Sequence, residues 1–329
     1  MLSFRVCHGQ TQRLALLLLL LLYRAGGRPE PDRVAHPSSS LPRRPGFRQT
    51  GWVERSGATR IMLGLERPRL ERRRAVRVGN LTIGGTRPAL IAGPCSVEPG
   101  YVAQALALAA TGADALRAGI FKPRTHPDSF QGMGLEALPL LDEARRRTEL
   151  PLISEVLSAA DAEALGDRVD GYQVGTRNMQ NYRLLEALGD LGRPVVLKRG
   201  FSATIDEWVA ASEYIRRRGN DNVILCERGI RTFETRTRNT LDISAVVVAR
   251  GLTDLPVIVD PSHAAGRREW VPALALAALA AGADGLLVEA HPEPALAWSD
   301  GPQAISLEVL AGLVDAVRRT PAPTGNPDA

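Results

Sequence analysis

Four side chains that lie far apart in the sequence offer the sulfur, nitrogen and oxygen donors from which proteins build metal sites. They are Cys95, His263, Glu289 and Asp300. A mixed donor set suits a borderline divalent ion, of the Mn, Fe, Co or Zn class, better than Mg or Ca. Taken singly, a lone cysteine is more often a small core residue, and a glutamate is often a surface acid. The sequence therefore predicts one divalent metal ion, provided that the fold brings the four residues together.

The basic residues form a second pattern. The chain has 41 Lys and Arg residues, and only two of them are lysines, Lys122 and Lys198. The two residue types serve about equally on a solvated surface, but a compact ammonium differs from a planar guanidinium where it meets one phosphate or carboxylate. We therefore expect both lysines at positions where chemistry requires them. The alternative is that they are chance survivors of a bias toward Arg.

A group of six cations follows the predicted strands described below. So many charges are not buried without anions, and the nearby sequence supplies few acidic partners beyond Glu155 and Glu227. The group predicts a small polyanionic ligand that carries phosphate and carboxylate groups. The alternative is a ring of internal ion pairs at the rim of the fold. The six residues are Arg117, Lys122, Arg124, Arg177, Lys198 and Arg228.

Eight short apolar runs, which alternate with amphipathic or Ala-rich segments, must position these side chains. Such runs predict parallel strands covered on both faces by crossover helices. Eight such units in ~240 residues predict a closed (β/α)8 TIM barrel, whose active site is built at the carboxyl ends of the strands. An open doubly wound sheet is the alternative, but no GxGxxG follows the first strand. The runs are Ala89–Ala92, Leu116–Ile120, Leu152–Glu155, Gly171–Val174, Val195–Lys198, Val223–Cys226, Val257–Asp260 and Leu286–Glu289.

Smaller elements complete the expected barrel. A short N-terminal β-hairpin is predicted where two alternating runs bracket Gly79-Asn80. The helices include Tyr101–Thr111, Ile205–Arg217, Leu241–Arg250 and Val271–Ala281. His126 and His291 stand beside prolines in loops, and we expect both to be solvated. Cys226 is expected in the core.

The first 74 residues differ from the rest in composition. They hold fifteen Arg and five acidic residues, so the remaining chain carries a net charge of −5 although the whole chain carries +5. The basic balance is therefore no evidence for nucleic acid. The apolar run of residues 14–22 is too short to span a bilayer, which needs about 20 residues. We expect residues 1–74 to be a disordered basic leader, or upstream sequence wrongly included before a start at Met62, and we expect no membrane association.

These observations define the expected domains and compartment. The catalytic barrel is predicted over residues 75–320, followed by a disordered tail over 321–329. The three cysteines are an odd number without a CxxC pair, so no disulfide framework is implied. A reducing, cytoplasmic location is the natural expectation.

Seven ordered motifs make the chain resemble a known family. Together they resemble 3-deoxy-D-arabino-heptulosonate 7-phosphate (DAHP) synthase, in its type I beta branch, from about Ala75 to about Arg318. The motifs are Gly93-Pro94-Cys95-Ser96, Lys122-Pro123-Arg124-Thr125, Gly175-Thr176-Arg177-Asn178, Leu197-Lys198-Arg199-Gly200, Cys226-Glu227-Arg228-Gly229, Asp260-Pro261-Ser262-His263 and Glu289-Ala290-His291-Pro292.

The resemblance implies a metal-assisted, aldol-type condensation of phosphoenolpyruvate with erythrose 4-phosphate and water, the first step of the shikimate pathway. It implies that Arg124 and Thr125 hold the phosphate of erythrose 4-phosphate, that Lys122 donates a proton to the aldehyde oxygen, and that Glu155 positions or deprotonates the attacking water. We also expect a homodimer or homotetramer. The implied metal ligands are Cys95, His263, Glu289 and Asp300, and the implied phosphoenolpyruvate site is Arg117, Lys122, Arg177, Lys198 and Arg228.

Two alternatives remain open at this point. The sister enzyme that makes 3-deoxy-D-manno-octulosonate 8-phosphate shares the barrel, but has a Lys-Ala-Asn-Arg-Ser run where this chain has Lys122-Pro123-Arg124-Thr125. A non-catalytic anion-binding barrel would show a broken ligand or cation set, and neither set is broken. The heptulosonate product is therefore favoured.

Overall fold

The computed structural model describes residues 73–321. The predicted leader, apart from residues 73 and 74, and the predicted tail after residue 321 lie outside that range. Within it, no helix is long and apolar enough to cross a bilayer. The described chain begins with an antiparallel hairpin of β1 (Val76–Val78) and β2 (Leu81–Ile83), which brackets Gly79-Asn80 as predicted.

Eight parallel strands form a closed barrel in which each strand pairs with the next and the last pairs with the first. The predicted barrel is confirmed, and the open sheet is excluded. The second barrel strand ends at Arg117, earlier than expected, because the Gly119 carbonyl accepts from Val97 N (2.8 Å) and the chain leaves the ladder there. The strands are β3 (Ala89–Gly93), β4 (Ala115–Arg117), β5 (Leu152–Val156), β6 (Gly171–Val174), β7 (Val195–Lys198), β8 (Val223–Glu227), β9 (Val257–Val259) and β10 (Gly285–Glu289).

Within the described range, eight α-helices lie between these strands and a ninth follows the last strand. Polar caps fix several of their starts: α3 and α5 carry capping boxes, and the Asp242 side chain accepts from Ala245 N, so α6 begins two residues later than predicted. The helices are α1 (Tyr101–Ala110), α2 (Leu138–Thr148), α3 (Ala159–Leu165), α4 (Tyr182–Leu191), α5 (Ile205–Arg216), α6 (Ile243–Leu252), α7 (Pro261–Ala265), α8 (Val271–Ala280) and α9 (Leu307–Arg319).

The barrel interior is apolar at its amino end and charged at its carboxyl end. The inward side chains of the hairpin pack against one interior layer of the barrel, so the hairpin closes the amino end. Because side chains alternate along a strand, the residues two positions after Ala115, Ile153, Val196 and Leu287 also point inward, and they are Arg117, Glu155, Lys198 and Glu289. All four are buried, and Gln173, two positions after Gly171, is likewise buried. The apolar layer comprises Ala89, Ile91, Ala115, Ile153, Val196, Ile224, Cys226, Ile258 and Leu287.

Closure of the barrel depends on a close approach at Gly285. A Cβ atom at this position would lie 2.7 Å from the Ala89 carbonyl oxygen, across the pair of β10 with β3. We expect Gly285→Ala to lower the free energy of unfolding by about 1–3 kcal/mol, because the backbone must shift. Gly312→Ala is the matched control, since among the described residues no atom beyond the adjacent α9 backbone lies within 4 Å of a Cβ added at this exposed position.

The control substitution should raise the free energy of unfolding by about 0.5–1 kcal/mol, because Gly in a helix is less favourable than Ala. Denaturant unfolding of both variants and the parent checks the prediction, provided that the three proteins unfold with the same m-value. Equal changes in the free energy of unfolding for the two substitutions would show that the contact of Gly285 with Ala89 is not tight.

Candidate active site

The structure brings the four metal-type ligands together at the carboxyl end of the barrel. One donor atom from each of Cys95, His263, Glu289 and Asp300 lies within 4.8 Å of all the others. Cys95 Sγ is 2.9 Å from Asp300 Oδ2 and 3.6 Å from His263 Nε2, which is 3.1 Å from Glu289 Oε1. Donors that share a metal at about 2.0–2.3 Å are separated by distances of this order. The set is therefore able to hold one ion.

His263 is oriented by the residue that starts its helix. Asp260 caps α7, accepting from His263 N (2.9 Å) through Oδ1 and contacting His263 Nδ1 (2.7 Å) through Oδ2. The Nδ1 proton is therefore directed to Asp260, and Nε2 remains free as a donor to a metal. Burial lowers the pKa of His263 to about 4, although Asp260 and Glu289 favour its charge. The imidazole is neutral at pH 7, as metal ligation requires.

Two further ligands have the environment of a cation site. Burial, reinforced by Glu289, raises the pKa of the Cys95 thiol, so a nearby cation is needed to hold it as thiolate. Burial opposes the charge of Glu289, but His263 and Arg117 outweigh it and lower the pKa of Glu289. Its Oε1 lies 3.1 Å from Arg117 Nη1, yet neither atom makes a hydrogen bond of good geometry. A buried oxygen without a donor, facing three other ligand atoms, fits a metal ion.

Three of the predicted substrate cations have acidic partners inside the barrel. Lys198 Nζ is 2.6 Å from Asp260 Oδ2, and Lys122 Nζ is 3.5 Å from Glu155 Oε2. Arg117 faces Glu289 as described above. The expectation of few acidic partners beyond Glu155 and Glu227 is wrong, because strands distant in sequence also supply Asp260 and Glu289 across the barrel. The alternative of internal ion pairs is correct for this part of the site.

Lys122 also lies next to the metal-ligand set. Its ammonium donates to the Cys95 carbonyl oxygen at 3.3 Å. Burial opposes the charge of the ammonium, but Cys95 and Glu155 outweigh burial and raise the pKa of Lys122. The side chain therefore carries a proton at neutral pH. It can donate that proton to a group bound between the ligand set and Glu155.

Two other cations have no carboxylate within 4 Å in the described range. Arg177 donates to Thr125 Oγ1 (2.8 Å), and Arg228 is 3 % exposed with its Nε unbonded. Both guanidinium groups face the ring of Phe201, at 5.4 and 5.0 Å from its centroid, and Arg231 lies at 4.4 Å. Burial lowers the pKa of Arg228. Three like charges around one ring leave positive charge available for an anion.

A cavity of about 220 Å³ connects the metal-ligand set with the predicted substrate cations. It is lined by cations, by the Lys122-Pro123-Arg124-Thr125 segment and by members of the metal-ligand set, so a bound anion would lie against both. A larger groove of about 790 Å³ lies at the opposite end beside Gly79 and Asp170, where the lining Arg145 and Arg168 are paired with carboxylates. The predicted residues that line the mouth cavity are Lys122, Arg124, Thr125, Glu155, Arg177, Lys198, Arg228, His263 and Asp300.

Several residues of the site were not found from the sequence. Asp260 was visible as a strand-end acid before a Pro-initiated helix, but nothing identified Arg238, Gln303 or Phe201, because their partners come from distant loops. The expectation that His291 is solvated is wrong: it is 4 % exposed, and its Nε2 lies 2.8 Å from Glu98 Oε1. His126 is exposed, and Cys226 is buried in the apolar layer, as expected.

The closed barrel and this charged mouth are those of a (β/α)8-barrel enzyme. The model of the DAHP synthetase I family matches residues 69–320, and the chain belongs to that family. Phospho-2-dehydro-3-deoxyheptonate aldolase of Thermotoga maritima is 46% identical over 246 residues, which are 74% of this chain and 73% of the relative. 2-Dehydro-3-deoxyphosphooctonate aldolase of Syntrophotalea carbinolica is 33% identical over 256 residues, 71% of this chain and 91% of the relative.

Solved structures agree with the family. A crystal structure of the Thermotoga maritima DAHP synthase is 45% identical and covers 75% of this chain and 73% of its own, with a TM-score of 0.72. A truncated form of 3-deoxy-D-arabino-heptulosonate 7-phosphate synthase from the same organism is 42% identical. It covers 75% of this chain and 92% of its own, with a TM-score of 0.69. The barrel architecture is therefore that of this family.

The contacts of Asp260 generate a stability prediction. Asp260→Asn removes the charge that faces Lys198 Nζ at 2.6 Å in a site where both side chains are at most 5% exposed. We expect a loss of about 3–5 kcal/mol in the free energy of unfolding, because a buried ammonium is left without its partner. The matched control is Asp142→Asn, whose partner Arg168 is 3.2 Å away on the surface.

The control should lose less than about 1 kcal/mol, as exposed ion pairs contribute little. Urea unfolding of both variants in one buffer gives the comparison. An Asp260→Asn loss as small as the control's would mean that the buried pair is not a stabilising contact.

Proposed function

We propose that the protein condenses phosphoenolpyruvate with erythrose 4-phosphate and water, giving 3-deoxy-D-arabino-heptulosonate 7-phosphate and inorganic phosphate, the first step of the shikimate pathway. The observation that carries the proposal is that the segment Lys122-Pro123-Arg124-Thr125 lines the same cavity as His263 and Asp300 of the metal-ligand set. The 46% identity to a heptonate aldolase, against 33% to an octonate aldolase, supports the heptulosonate product.

The proposed metal site is Cys95, His263, Glu289 and Asp300, holding one divalent ion of the Mn, Fe, Co or Zn class. The mixed S, N and O donors support this class over Mg or Ca. When bound, such an ion supplies Lewis-acid polarisation of a substrate oxygen. The unbonded Glu289 Oε1 supports this placement.

The proposed phosphoenolpyruvate site is the inner group of cations. Among the described residues, Arg177 and Arg228 have no carboxylate partner within 4 Å, so they hold the phosphate, while Lys198 and Arg117 orient the enol from the barrel interior. Their contribution is positioning and electrostatic stabilisation. Lys122 completes the site beside Cys95 and Glu155.

The proposed aldose site is at the outer edge of the cavity. Arg124 and Thr125 are only partly covered there and hold the phosphate of erythrose 4-phosphate. C3 of phosphoenolpyruvate attacks the aldehyde carbon, and the new C–C bond forms as the aldehyde oxygen takes a proton from Lys122. Positive charge develops at C2, where the water positioned by Glu155 adds and gives up a proton to that carboxylate. The C2–O bond to phosphate in the resulting hemiketal phosphate then breaks, which leaves the C2 ketone and inorganic phosphate.

We propose further that the protein is a cytoplasmic homodimer or homotetramer. The exposed faces of α6 and α8, which carry Val247, Val248 and Leu276, are apolar and without charge, so a second copy can cover them without an electrostatic cost. The free thiol of Cys95 must stay reduced to act as a ligand, which supports a reducing compartment.

Phosphate release tests the proposed reaction directly. We expect release from phosphoenolpyruvate with erythrose 4-phosphate, little with arabinose 5-phosphate, and loss of activity on chelation that is restored by a divalent ion of the proposed class. Preferential use of arabinose 5-phosphate would establish the octulosonate reaction instead. No release with either sugar in the presence of metal would leave only a non-catalytic anion-binding barrel.

The two lysines give a prediction about residue type. Lys122→Arg and Lys198→Arg keep the charge but replace a compact ammonium by a larger planar group in sites 7% and 4% exposed. We expect kcat/KM to fall by at least about 100-fold from misplacement of the substrates, with a stability loss of only about 1–3 kcal/mol.

Arg183→Lys is the control, because the Arg183 side chain is 94% exposed and its surface ion pair is weak. Steady-state kinetics and denaturant unfolding should show that this variant has the kcat/KM and the free energy of unfolding of the parent protein. Near-normal turnover of either lysine variant would mean that the Arg bias alone explains the lysine count.

A further inference from the structure

Three of the four metal-type ligands have their second polar atom held by a dedicated partner. Asp260 Oδ2 holds His263 Nδ1 at 2.7 Å. Gln303 Nε2 donates to Glu289 Oε2 at 2.5 Å, and Arg238 Nη1 donates to Asp300 Oδ1 at 3.0 Å. The atoms left over are His263 Nε2, Glu289 Oε1 and Asp300 Oδ2, which converge with Cys95 Sγ. Each partner therefore selects which atom of its ligand faces the centre.

Gln303 joins two of these partners. Its Oε1 accepts from Arg238 Nη1 at 2.7 Å while its Nε2 donates to Glu289. A carboxylate only accepts and a guanidinium only donates, so the amide has one possible orientation. The residue is 2 % exposed and lies in the same turn as Asp300, with Gln303 N donating to the Asp300 carbonyl at 3.1 Å. The chain of contacts Asp300–Arg238–Gln303–Glu289 is thus continuous.

Arg238 reaches the site from the loop between β8 and α6, which carries none of the four ligands. Its side chain packs closely on Gly266, where an added Cβ would lie 2.5 Å from Arg238 Cβ. Arg238 is 39% exposed at its side chain, whereas Asp300 is 13% exposed. The loop of Arg238 is also held near the ligand set by its neighbour Asn239, whose side-chain amide donates to the His263 carbonyl at 3.0 Å.

We propose that Gln303 and Arg238 are positioning residues that fix Glu289 and Asp300 as single-atom ligands of the metal site. The proposal rests on the proposed function, in that it requires a cation at the four-ligand set. Partners of this type around metal ligands each contribute about 10- to 100-fold to metal affinity or activity. Gln303 is the more informative of the two because it is neutral, whereas removal of Arg238 also removes a positive charge that disfavours a cation.

The test is titration of Co²⁺ into the chelator-treated full-length protein, followed by the thiolate-to-Co²⁺ charge-transfer band and the d–d bands. Gln303→Leu keeps the size of the side chain and removes both hydrogen bonds. We expect Co²⁺ affinity to fall about 10- to 100-fold and the d–d bands to shift, since Glu289 is free to rotate. Asn222→Leu, an amide-to-leucine change on the exposed loop before β8, should leave affinity and spectrum unchanged.

Arg238→Gln gives a second, independent measurement if Gln303→Leu fails to fold. It should also shift the d–d bands, and Arg238→Lys should move them back toward the parent spectrum, because one ammonium can contact both Asp300 and Gln303. In the double variant the changes in the free energy of Co²⁺ binding should differ from the sum of the two single-variant changes, because the residues act in one network.

Parent-like Co²⁺ affinity and spectrum in Gln303→Leu, or strictly additive losses in the double variant, would overturn the proposal. Failure of the metal site itself has a different signature. In that case the parent protein shows no charge-transfer band, or Cys95→Ser keeps the band, and the proposed function fails together with this inference.

Discussion

The contact on which the site depends is the buried carboxylate of Asp260. It is fully buried and binds Lys198 Nζ through one oxygen, which also meets His263 Nδ1, while the other oxygen caps α7. Burial opposes the charge of Asp260, but its contacts with His263 and Lys198, together with Arg117, outweigh burial and hold the pKa of Asp260 well below its usual range. Asp260 therefore connects the metal-ligand half of the site with the anion-binding half, and a change in its charge alters both.

The barrel tolerates such a charged interior because its other end is closed by apolar packing. The hairpin residues Val76, Val78, Leu81 and Ile83 pack on the interior layer that includes Cys226. Water is thereby excluded from the amino end, and the ion pairs above lie in a low dielectric in which they are strong and any unpaired group is costly. The hairpin is short, but it separates the buried charges from solvent on the side where no ligand enters.

The sequence predicted the parts of the fold that depend on local pattern. Apolar runs with intervening helices predicted every barrel strand, and Gly79-Asn80 predicted the hairpin. The start of α6 was predicted two residues too early. The apolar residue Leu241 fits the helical pattern, whereas the cap formed by Asp242 is less evident in the sequence. Site residues at strand ends, such as Glu289, follow from topology. The pairing of these residues does not follow from topology. The contacts of Arg117 with Glu289 and of His291 with Glu98 depend on strand curvature and loop paths that the local sequence does not encode.

The charge balance of the site distinguishes the cations that pair with carboxylates from those that are available to an anionic ligand. Lys122, Lys198, Arg117 and Arg238 are matched by Glu155, Asp260, Glu289 and Asp300, so the inner site is close to neutral before any ion or substrate binds. Positive charge remains at Arg177 and Arg228, which have aromatic and hydroxyl partners instead of carboxylates. The lysines therefore belong to the balanced set, and a compact ammonium fits the 2.6 Å contact inside the barrel that a planar guanidinium fits less well.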